Sequence, residues 1–458
     1  MKLSVLLLAS AMVFTSTALR AQEIAYKYRV YFKDKKESPY KKSRPQEFLS
    51  QKALDRRAKW NLKIDDHDLP VSPAYVKRLA ENGNQVLCVS KWNNTALVQN
   101  TDSTKLEALA ELPFVTKVQR VFAAVPYQHP DDVTEKRKAE IKDTLETTVF
   151  FYGEGARQIE QLNGITLHRA GFRGQGMTIA VIDGGFYNAD AMGLLDNVKV
   201  LGTHNFVRPN QSVYDEGSHG MSVLSCIGTN KPYSFVGTAP EAEFWLLVSE
   251  DGFSETPAEE DYWAAAVEFA DSVGADVANT SLGYNKFDIE DLSVKVEELD
   301  GHTHLISRSA SLTASRGLML VNSAGNSGGN TWKYITPPAD ANNIITVGAV
   351  DLNGEVAVFS SLGNTADGRI KPDVMACGLW ATVARSDGSI GYANGTSFSS
   401  PITAGMVACL MQALPDFRPE EIITLLHECG NNAKHPNSLY GYGIPDYWKA
   451  YCKGKFRK

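Results

Sequence analysis

Asn394-Gly-Thr-Ser-Phe-Ser-Ser-Pro401 is the most informative segment of this chain, because a buried helix is predicted to begin within it. Residues 397–414 are largely apolar, and Pro401, their only proline, falls near the first turn, where a missing N–H costs little. The segment therefore predicts that Ser397 lies at a helix N-terminus, where backbone amides point towards developing negative charge.

A serine hydroxyl becomes a nucleophile only where a neighbouring base takes its proton and a third group orients that base. Two upstream residues suit these tasks. Asp183 follows the apolar run 177–182 and precedes Gly184-Gly185, a pattern typical of a sharp turn after a buried parallel strand. His219 lies beside glycines, and the apolar residues after it predict a helix that leads away. Because active sites of open α/β sheets gather at the C-terminal edge of the strands, these residues are expected to converge.

Asn326 supplies a fourth polar group. It ends the buried-strand pattern 318–326, which then breaks into Ser327-Gly-Gly329. An acyl-transfer enzyme must stabilise the oxyanion of its tetrahedral intermediate, and a side-chain amide at a strand end can donate to it. Each residue alone also has a structural interpretation, since an Asp before Gly-Gly is typical of a turn and a His beside glycines is often structural. The ordered combination favours catalysis over that interpretation.

This ordered set of segments resembles the subtilisin-like serine peptidases, or subtilases. The resemblance covers roughly residues 156–450, and a chance match to several motifs in a fixed order is far rarer than a match to one. The segments are the strand ending at Asp183, the His219 segment, Gly237-Thr-Ala-Pro240, Asn279-Thr-Ser-Leu-Gly283, Ala324-Gly-Asn326, Val347-Gly-Ala-Val350, Lys371-Pro-Asp373 and Gly395-Thr-Ser-Phe-Ser-Ser-Pro401.

The resemblance implies a role for each polar residue. Ser397 is expected to be the nucleophile, His219 the general base and then acid, and Asp183 the carboxylate that stabilises the imidazolium. Asn326 and the backbone N–H of Ser397 are expected to form the oxyanion hole. An extended polypeptide substrate is expected to bind as an extra strand. The residues that the resemblance assigns to substrate binding are Ser281, Leu282, Gly283, Ala324 and Gly325.

Three positions depart from the commonest pattern of the family. Met221 stands where Thr is usual, Phe398-Ser399 replace Met-Ala after the nucleophile, and Cys377 occupies a usual proline position. None of these changes removes a catalytic group. Met221 and Phe398 are expected to alter how the helices that carry His219 and Ser397 pack.

The alternation of strand and helix patterns predicts an α/β fold, a three-layer doubly wound sheet that is mostly parallel, preceded by a small α+β domain. The 458 residues suffice for both domains. The polar excursion 284–317 is interpreted as an inserted loop near the substrate groove. Five strands are predicted at 177–182, 243–249, 275–281, 317–322 and 343–350, and helices at Glu259–Val273 and Pro419–Cys429.

The chain before the peptidase-like part is predicted to have three sections. Residues 1–21, with Met1-Lys2, an apolar stretch and small residues, are typical of a secretory signal peptide, which predicts export to the periplasm or beyond and no membrane anchor after removal. Residues 22–122 are predicted to be the α+β domain, and 123–155 an exposed linker with a processing site before the peptidase domain at 156–458.

Residues 22–122 alternate short strands and helices. A strand at 26–32 is predicted to bury one face, and helices are predicted at 45–60, after the cap Ser72 and up to Gly83, and from the capping box at Thr104 to Leu112; the remaining strands are predicted at 85–90, 95–99 and 115–122. Their position resembles the propeptide of the subtilases, an intramolecular chaperone and temporary inhibitor. A permanent N-terminal accessory domain is the alternative.

Charge and cysteine content limit the possible partners. The net charge of −7 gives no electrostatic reason to expect nucleic-acid binding. No cofactor is expected, and calcium, which related proteins often bind, cannot be assigned to residues. Cys226 and Cys409 are predicted to be buried, and any disulfide is predicted to join Cys429 to Cys452. His302-Thr-His304 could hold a metal, but the pattern is more typical of a solvated loop.

Together these patterns predict an exported serine endopeptidase made as an inactive precursor, or zymogen. A catalytically silent peptide-binding protein on the same scaffold is the alternative from another class. An exopeptidase or a narrow processing peptidase is a third, because loops at one end of the groove decide between these activities.

Overall fold

The computed structural model describes residues 24–124 and 151–457, which fold into an antiparallel and a parallel sheet with flanking helices. The predicted signal peptide and most of the predicted linker lie outside the described residues. The strands are β1 (Ala25–Phe32), β2 (Gln85–Ser90), β3 (Thr95–Asn100), β4 (Val115–Ala124), β5 (Thr178–Asp183), β6 (Lys199–Asn205), β7 (Asn230–Lys231), β8 (Phe235–Val236), β9 (Glu243–Val248), β10 (Val277–Thr280), β11 (Met319–Ser323), β12 (Ile345–Val350), β13 (Val374–Cys377), β14 (Ala381–Ala384) and β15 (Ile390–Ala393).

The helices differ greatly in length, and the longest carries the predicted nucleophile. They are α1 (Gln51–Lys59), α2 (Pro73–Leu79), α3 (Ser103–Glu107), α4 (Ala156–Glu160), α5 (Gly164–Arg169), α6 (His219–Gly228), α7 (Ala258–Val273), α8 (Leu305–Leu312), α9 (Thr396–Ala413), α10 (Pro419–Cys429) and α11 (Tyr447–Lys455).

The large sheet is parallel throughout, with the strand order β13-β12-β11-β10-β5-β9-β6. All five predicted strands are confirmed within a few residues. The sequence did not indicate β6, because this edge strand is largely polar and only partly buried. It did not indicate β13 either, because its four buried residues are too few to show a period.

Helices cover both faces of this sheet. Along β5, Ile179 and Val181 belong to the apolar cluster that includes α6 and α9, whereas Ala180 and Ile182 belong to the cluster that includes α7 and α8. Alternate residues of a strand point to opposite faces, so β5 is buried on both sides. The predicted three-layer α/β fold is confirmed.

Residues 284–317 are not a plain inserted loop. They contain α8, which packs on α7 in the same layer, and three short 3-10 helices. His304, Leu305 and Arg308 face a cavity shared with the N-terminal domain. The apolar positions of α8 are interleaved with Ser and Arg, which is why the stretch resembled a polar excursion.

The N-terminal domain has one antiparallel sheet with the order β2-β3-β1-β4. The prediction that β1 buries one face is wrong, because Lys27 and Arg29 are buried as well as Tyr28 and Val30. The second face of β1 packs on α7, a partner distant in sequence that local pattern cannot reveal.

Three helix boundaries in this domain differ from the prediction. The stretch 45–60 is a 3-10 turn followed by α1, because the side chain of Ser50 accepts a hydrogen bond from the N–H of Ala53 and starts a new helix. Ser72 precedes α2, but its hydroxyl makes no capping bond, and α2 ends at Leu79. Helix α3 is capped by Asp102, two residues before the predicted capping box.

The cysteines are all free thiols, so the predicted Cys429–Cys452 disulfide is wrong for this structure. Cys429 ends α10 and is buried, and Cys452 lies within α11, where it is partly exposed. The predicted burial of Cys226 and Cys409 is confirmed.

Candidate active site

Asp183 and His219 form a close pair at the C-terminal edge of the parallel sheet. Asp183 is the last residue of β5 and is 1% exposed, and His219 is the first residue of α6. The Nδ1–H of His219 donates to Oδ1 of Asp183 over 2.8 Å, and the N–H of Gly184 donates to the same oxygen. The negative charge of Asp183 raises the pKa of His219 to about 9, against the lowering effect of burial. The pair therefore holds the imidazole in one orientation and stabilises its protonated form.

Ser397 is the second residue of α9, and its hydrogen bonds with Ser281, which follows β10, place it at the same edge. The ring of Phe398 has its centroid 5.8 Å from that of His219, and α9 packs on α6. In this conformation the Ser397 hydroxyl donates to the carbonyl of Ser281 over 3.2 Å. The Ser281 hydroxyl in turn donates to the carbonyl of Ser397. A Ser397 that gives its proton to His219 would first have to exchange this partner for the imidazole.

Asn326 lies beside the first turn of α9, with its amide fixed in orientation. Its Oδ1 accepts hydrogen bonds from the N–H and the hydroxyl of Thr396, each over 2.9 Å, which leaves Nδ2 to donate elsewhere. A Cβ added to Gly395 would lie 3.6 Å from both Nδ2 of Asn326 and the backbone N of Ser397. Both nitrogens therefore border one space in front of Gly395, at ordinary contact distance from the position of that Cβ.

The residues expected to bind substrate follow the ends of β10 and β11. The carbonyl of Leu282 accepts from Ser323 over 3.4 Å, and a Cβ on Gly283 would come within 2.3 Å of the Thr336 hydroxyl. Ala324 is fully buried in this structure. The N–H of Gly325 donates to the Thr396 hydroxyl next to the nucleophile. The structure thus brings Ser281, Leu282, Gly283, Ala324 and Gly325 to the edge where Ser397 lies.

Glu250 is a polar residue at this edge that the sequence analysis did not identify. It follows β9, and its Oε1 accepts a hydrogen bond from the hydroxyl of Tyr284 over 2.7 Å. Burial, and then the charge of Asp183, raise the pKa of this carboxyl to about 7. Its position directly after an apolar strand, like that of Asp183, was the signal that could have found it.

The N-terminal domain is attached to α7 by buried charges. Arg29 of β1 donates to Asp261 over 2.8 Å and to Glu260 over 3.0 Å. Glu268 accepts from the N–H groups of Lys91 and Trp92. These carboxylates lie on one face of α7 and have partners in the N-terminal domain, and Glu260 also contacts His304 of the peptidase domain.

A second set of contacts joins the N-terminal domain to the opposite end of α7. Arg56 and Arg57 of α1 both pair with Asp271, which is fully buried. The side chain of Arg56 also donates to the carbonyl of Arg316 over 3.1 Å. Helix α7 is thus held at both ends by cations of the domain that precedes it.

The last strand of the N-terminal domain ends close to the candidate active site. Phe122 and Ala124 line a cavity of about 470 Å³ together with Asp251 and Phe253, which follow Glu250 in the chain. The end of β4 therefore lies beside the loop that follows Glu250.

The two histidines at 302 and 304 contact different partners. His302 bonds to Asn342, whereas the ring nitrogens of His304 lie 3.5 Å from Glu260 and 3.3 Å from Glu298. The interpretation of this stretch as a solvated loop is wrong for His304, which is largely buried. Within residues 24–124 and 151–457 there is no group of three or more potential metal ligands, and calcium binding stays an untested expectation without assigned residues. In the same ranges no helix is long and apolar enough to cross a membrane.

Comparisons with known proteins match both parts of the chain. The profile of the subtilase family matches residues 174–443, and that of the peptidase S8 propeptide domain of Bacteroidota matches residues 27–139. Serine protease AprX of Bacillus subtilis (strain 168) is 29% identical over 340 residues, which cover 66% of this chain and 71% of that protein. Subtilisin BL of Lederbergia lenta is 27% identical over 289 residues, which cover 62% of this chain and 94% of that protein.

Solved structures support the fold alone. The self-cleaved protease domain of PatA matches with a TM-score of 0.50 and 23% identity, over 62% of this chain and 98% of that one. MycP1 without its N-terminal propeptide matches with a TM-score of 0.52 and 22% identity, over 64% of this chain and 96% of that one.

Proposed function

This chain belongs to the subtilase family of serine peptidases and carries the family's N-terminal propeptide domain, and on that premise we propose that it is an exported endopeptidase that activates itself by cleavage. Asp183, His219 and Ser397 are its proposed triad. The observation that carries this proposal is the 2.8 Å bond from His219 to Asp183, at the edge where α9 presents Ser397.

The reaction proceeds by two acyl transfers. His219 takes the proton of Ser397 as the hydroxyl oxygen attacks the substrate carbonyl, and it gives this proton to the leaving amine as the peptide bond breaks. A water molecule then attacks the acyl-enzyme, His219 takes its proton, and Ser397 receives that proton when the product acid leaves. Asp183 stays ionised throughout and stabilises the imidazolium.

The oxyanion of each tetrahedral intermediate is assigned to the space in front of Gly395. Nδ2 of Asn326 and the backbone N–H of Ser397 converge there, which supports their role as its two donors. Because Oδ1 of Asn326 is already occupied by Thr396, the amide is oriented before substrate arrives. Such preorganised donors stabilise the transition state without reorganising during the reaction.

Substrate is proposed to bind as an extended polypeptide along Ser281–Gly283 and Ala324–Gly325. Main-chain hydrogen bonds to a strand edge suit unfolded or extended segments, since a folded surface cannot present a free strand. Neither nucleic acid nor a cofactor is part of this proposal.

The precursor is proposed to have a signal peptide at 1–21, an inhibitory propeptide at 22–122, a linker at 123–155 and the peptidase domain at 156–458. The end of β4 beside Asp251 and Phe253 supports an inhibitory role, because it places the end of the propeptide domain near the loop that follows Glu250. Processing is proposed between Phe122 and Ala156. Removal of the signal peptide would leave the protein in the periplasm or outside the cell, without a membrane anchor.

A fluorophosphonate probe tests the central proposal. The matured wild-type protein is expected to be labelled on Ser397 and to hydrolyse internal bonds of an unfolded polypeptide, and Ser397→Ala is expected to lose both activities. Binding of unfolded peptides without labelling or hydrolysis would establish the catalytically silent alternative. Release of terminal residues alone would establish an exopeptidase. Mass spectrometry that finds both proteins still beginning near Gln22 would exclude self-processing.

A further inference from the structure

Three neighbouring strands bring three functional segments to one edge of the sheet. The strand order is β10-β5-β9, and the residues that follow these strands are Ser281–Gly283, Gly184 and Glu250. Asp183 pairs with Val248 of β9, so Glu250 lies just beyond the level of the triad carboxylate. Because β9 and β10 lie on opposite sides of β5, any contact from Glu250 to the segment after β10 must cross the end of β5.

The hydrogen bond between Tyr284 and Glu250 connects the segment after β10 to the segment after β9, across the end of β5. Tyr284 directly follows Gly283, is 2% exposed, and donates from its hydroxyl to Oε1 of Glu250 over 2.7 Å. Its backbone N–H donates to the carbonyl of Pro337, which fixes the main chain at this point. A Cβ added to Gly184 would lie 3.6 Å from Cβ of Glu250, so the Glu250 side chain lies against the turn that follows Asp183.

We propose that Glu250 is a positioning residue of the catalytic centre. Its hydrogen bond to Tyr284 holds the edge segment Ser281–Gly283 in place relative to the turn after Asp183, the proposed triad carboxylate. This role rests on the proposed function, since it presupposes that Asp183 and Ser281–Gly283 act as assigned above. Glu250 acts through Asp183 and the edge segment, and it takes no part in proton transfer.

The charges around Glu250 give this role a distinct electrostatic signature. The titratable groups that face it are Asp183 from β5, His219 from α6, Tyr284 after β10, Glu255 from the loop after β9, and Glu259 from α7. Ionised Glu250 favours the protonated form of His219 and so contributes to its raised pKa. Removing the charge therefore lowers the pKa of His219, and the acidic limb of kcat/KM moves to lower pH.

Three variants separate the hydrogen bond from the charge. Glu250→Ala removes both, Tyr284→Phe removes only the donor, and Glu250→Gln keeps an acceptor oxygen but no charge. Glu255→Gln is the matched control, because Glu255 is a nearby carboxylate whose pKa burial also raises to about 7 but which does not bond to Tyr284. All four are compared with wild type as matured protein, by kcat, KM and the pH profile of a peptide substrate.

The expected pattern differs between the variants. Glu250→Ala and Tyr284→Phe lower kcat/KM about tenfold, mostly by raising KM, because the edge segment loses the hydrogen bond that holds it in place. Glu250→Gln keeps KM within about twofold of wild type while its acidic limb shifts to lower pH. Glu255→Gln behaves as wild type.

Other results overturn the positioning role. The positioning hydrogen bond is contradicted if Tyr284→Phe and Glu250→Ala both keep the wild-type KM. It is also contradicted if KM is as high in Glu250→Gln as in Glu250→Ala. Should Glu250→Ala fail to fold, Tyr284→Phe and Glu250→Gln still decide the question. A wild-type protein without Ser397-dependent hydrolysis overturns the proposed function first, whereas an active wild type with unaffected variants overturns the positioning role alone.

Discussion

Asn326 uses the two ends of one amide for two purposes. Its Oδ1 accepts from Thr396 and so holds the first turn of α9, while Nδ2 faces the space in front of Gly395. Replacing the residue with Ala would disturb both functions. Asn326→Asp separates them, because it keeps an oxygen for Thr396 but loses the donor.

We therefore predict that Asn326→Asp folds normally but loses turnover. The expected loss in kcat is ~100- to 1,000-fold, the range known for removal of the corresponding donor in a subtilisin, and KM should change little. Steady-state kinetics measure the loss, and thermal unfolding measured alongside reports whether α9 is intact. A kcat within about threefold of wild type would remove Asn326 from the oxyanion hole.

His219 is predicted to titrate unusually high. In Ser397→Ala, which cannot turn over, the imidazole should titrate by NMR with a midpoint near 9, the value to which the Asp183 carboxylate raises the pKa. Asp183→Asn in the same background should bring the midpoint back towards the ordinary value of about 6.5. Equal midpoints in the two proteins would contradict the electrostatic role of Asp183.

The same shift links His219 to stability. The pKa of His219 in the folded state lies above its value in the unfolded chain. The contribution of the His219–Asp183 pair to the free energy of unfolding is therefore fully present below about pH 6.5 and is lost as the pH rises through about 9. Activity has the opposite requirement, because the general base must be neutral to accept a proton. The catalytic pair is therefore most stabilising where it is least active.

Secondary-structure elements differ in how much of their role the local sequence indicates. Strand β5 and helix α9 were predictable because they are buried along nearly their whole length and are largely apolar. Helix α8, strand β6 and the second buried face of β1 were not, because each mixes polar residues whose partners are remote. Arg29 shows the reason most clearly. An arginine on a short strand is expected to be exposed, but Arg29 is buried because Asp261 and Glu260 of α7 pair with it.

The docking of β1 on α7 is predicted to depend strongly on Arg29. Loss of this side chain leaves Asp261 buried without the cation that pairs with it and leaves Glu260 with His304 alone. Breaking a buried ion pair by removing one partner costs about 3–5 kcal/mol in proteins. Burial already raises the pKa of Asp261 to about 6. Arg29→Ala in the Ser397→Ala background should thus markedly lower the free energy of unfolding of the intact chain.

Arg120→Ala is the control for this prediction. Arg120 lies on β4 of the same sheet but is exposed, so its removal should change the free energy of unfolding by less than about 0.5 kcal/mol. Denaturant unfolding of both variants measures the difference. Equal stabilities would mean that the buried cation contributes nothing to attachment.

At the scale of the molecule, the N-terminal domain is part of the packing of the peptidase domain. Trp60 belongs to the apolar cluster on the α9 side of the large sheet, and Trp92 to the cluster on the α7 side. The carboxylates of Glu268 and Asp271 are also covered by this domain. Departure of the propeptide would therefore expose two apolar areas and several charges together, which favours a cleaved but still associated state over immediate release.

This geometry predicts that self-processing occurs within one molecule. Strand β4 ends at Ala124 beside Asp251 and Phe253, and the segment 125–150 that leads to Phe151 can reach at most about 90 Å. Because β4, the strand before the proposed processing segment, ends beside the loop that follows Glu250 of the same molecule, we expect cleavage to need no encounter with a second copy. The half-time of processing should stay constant over a 100-fold dilution, measured by gel densitometry after refolding. Ser397→Ala mixed with trace wild type should remain intact over the same period. A half-time that lengthens in proportion to dilution would instead show that one molecule cleaves another, because a bimolecular step slows with concentration.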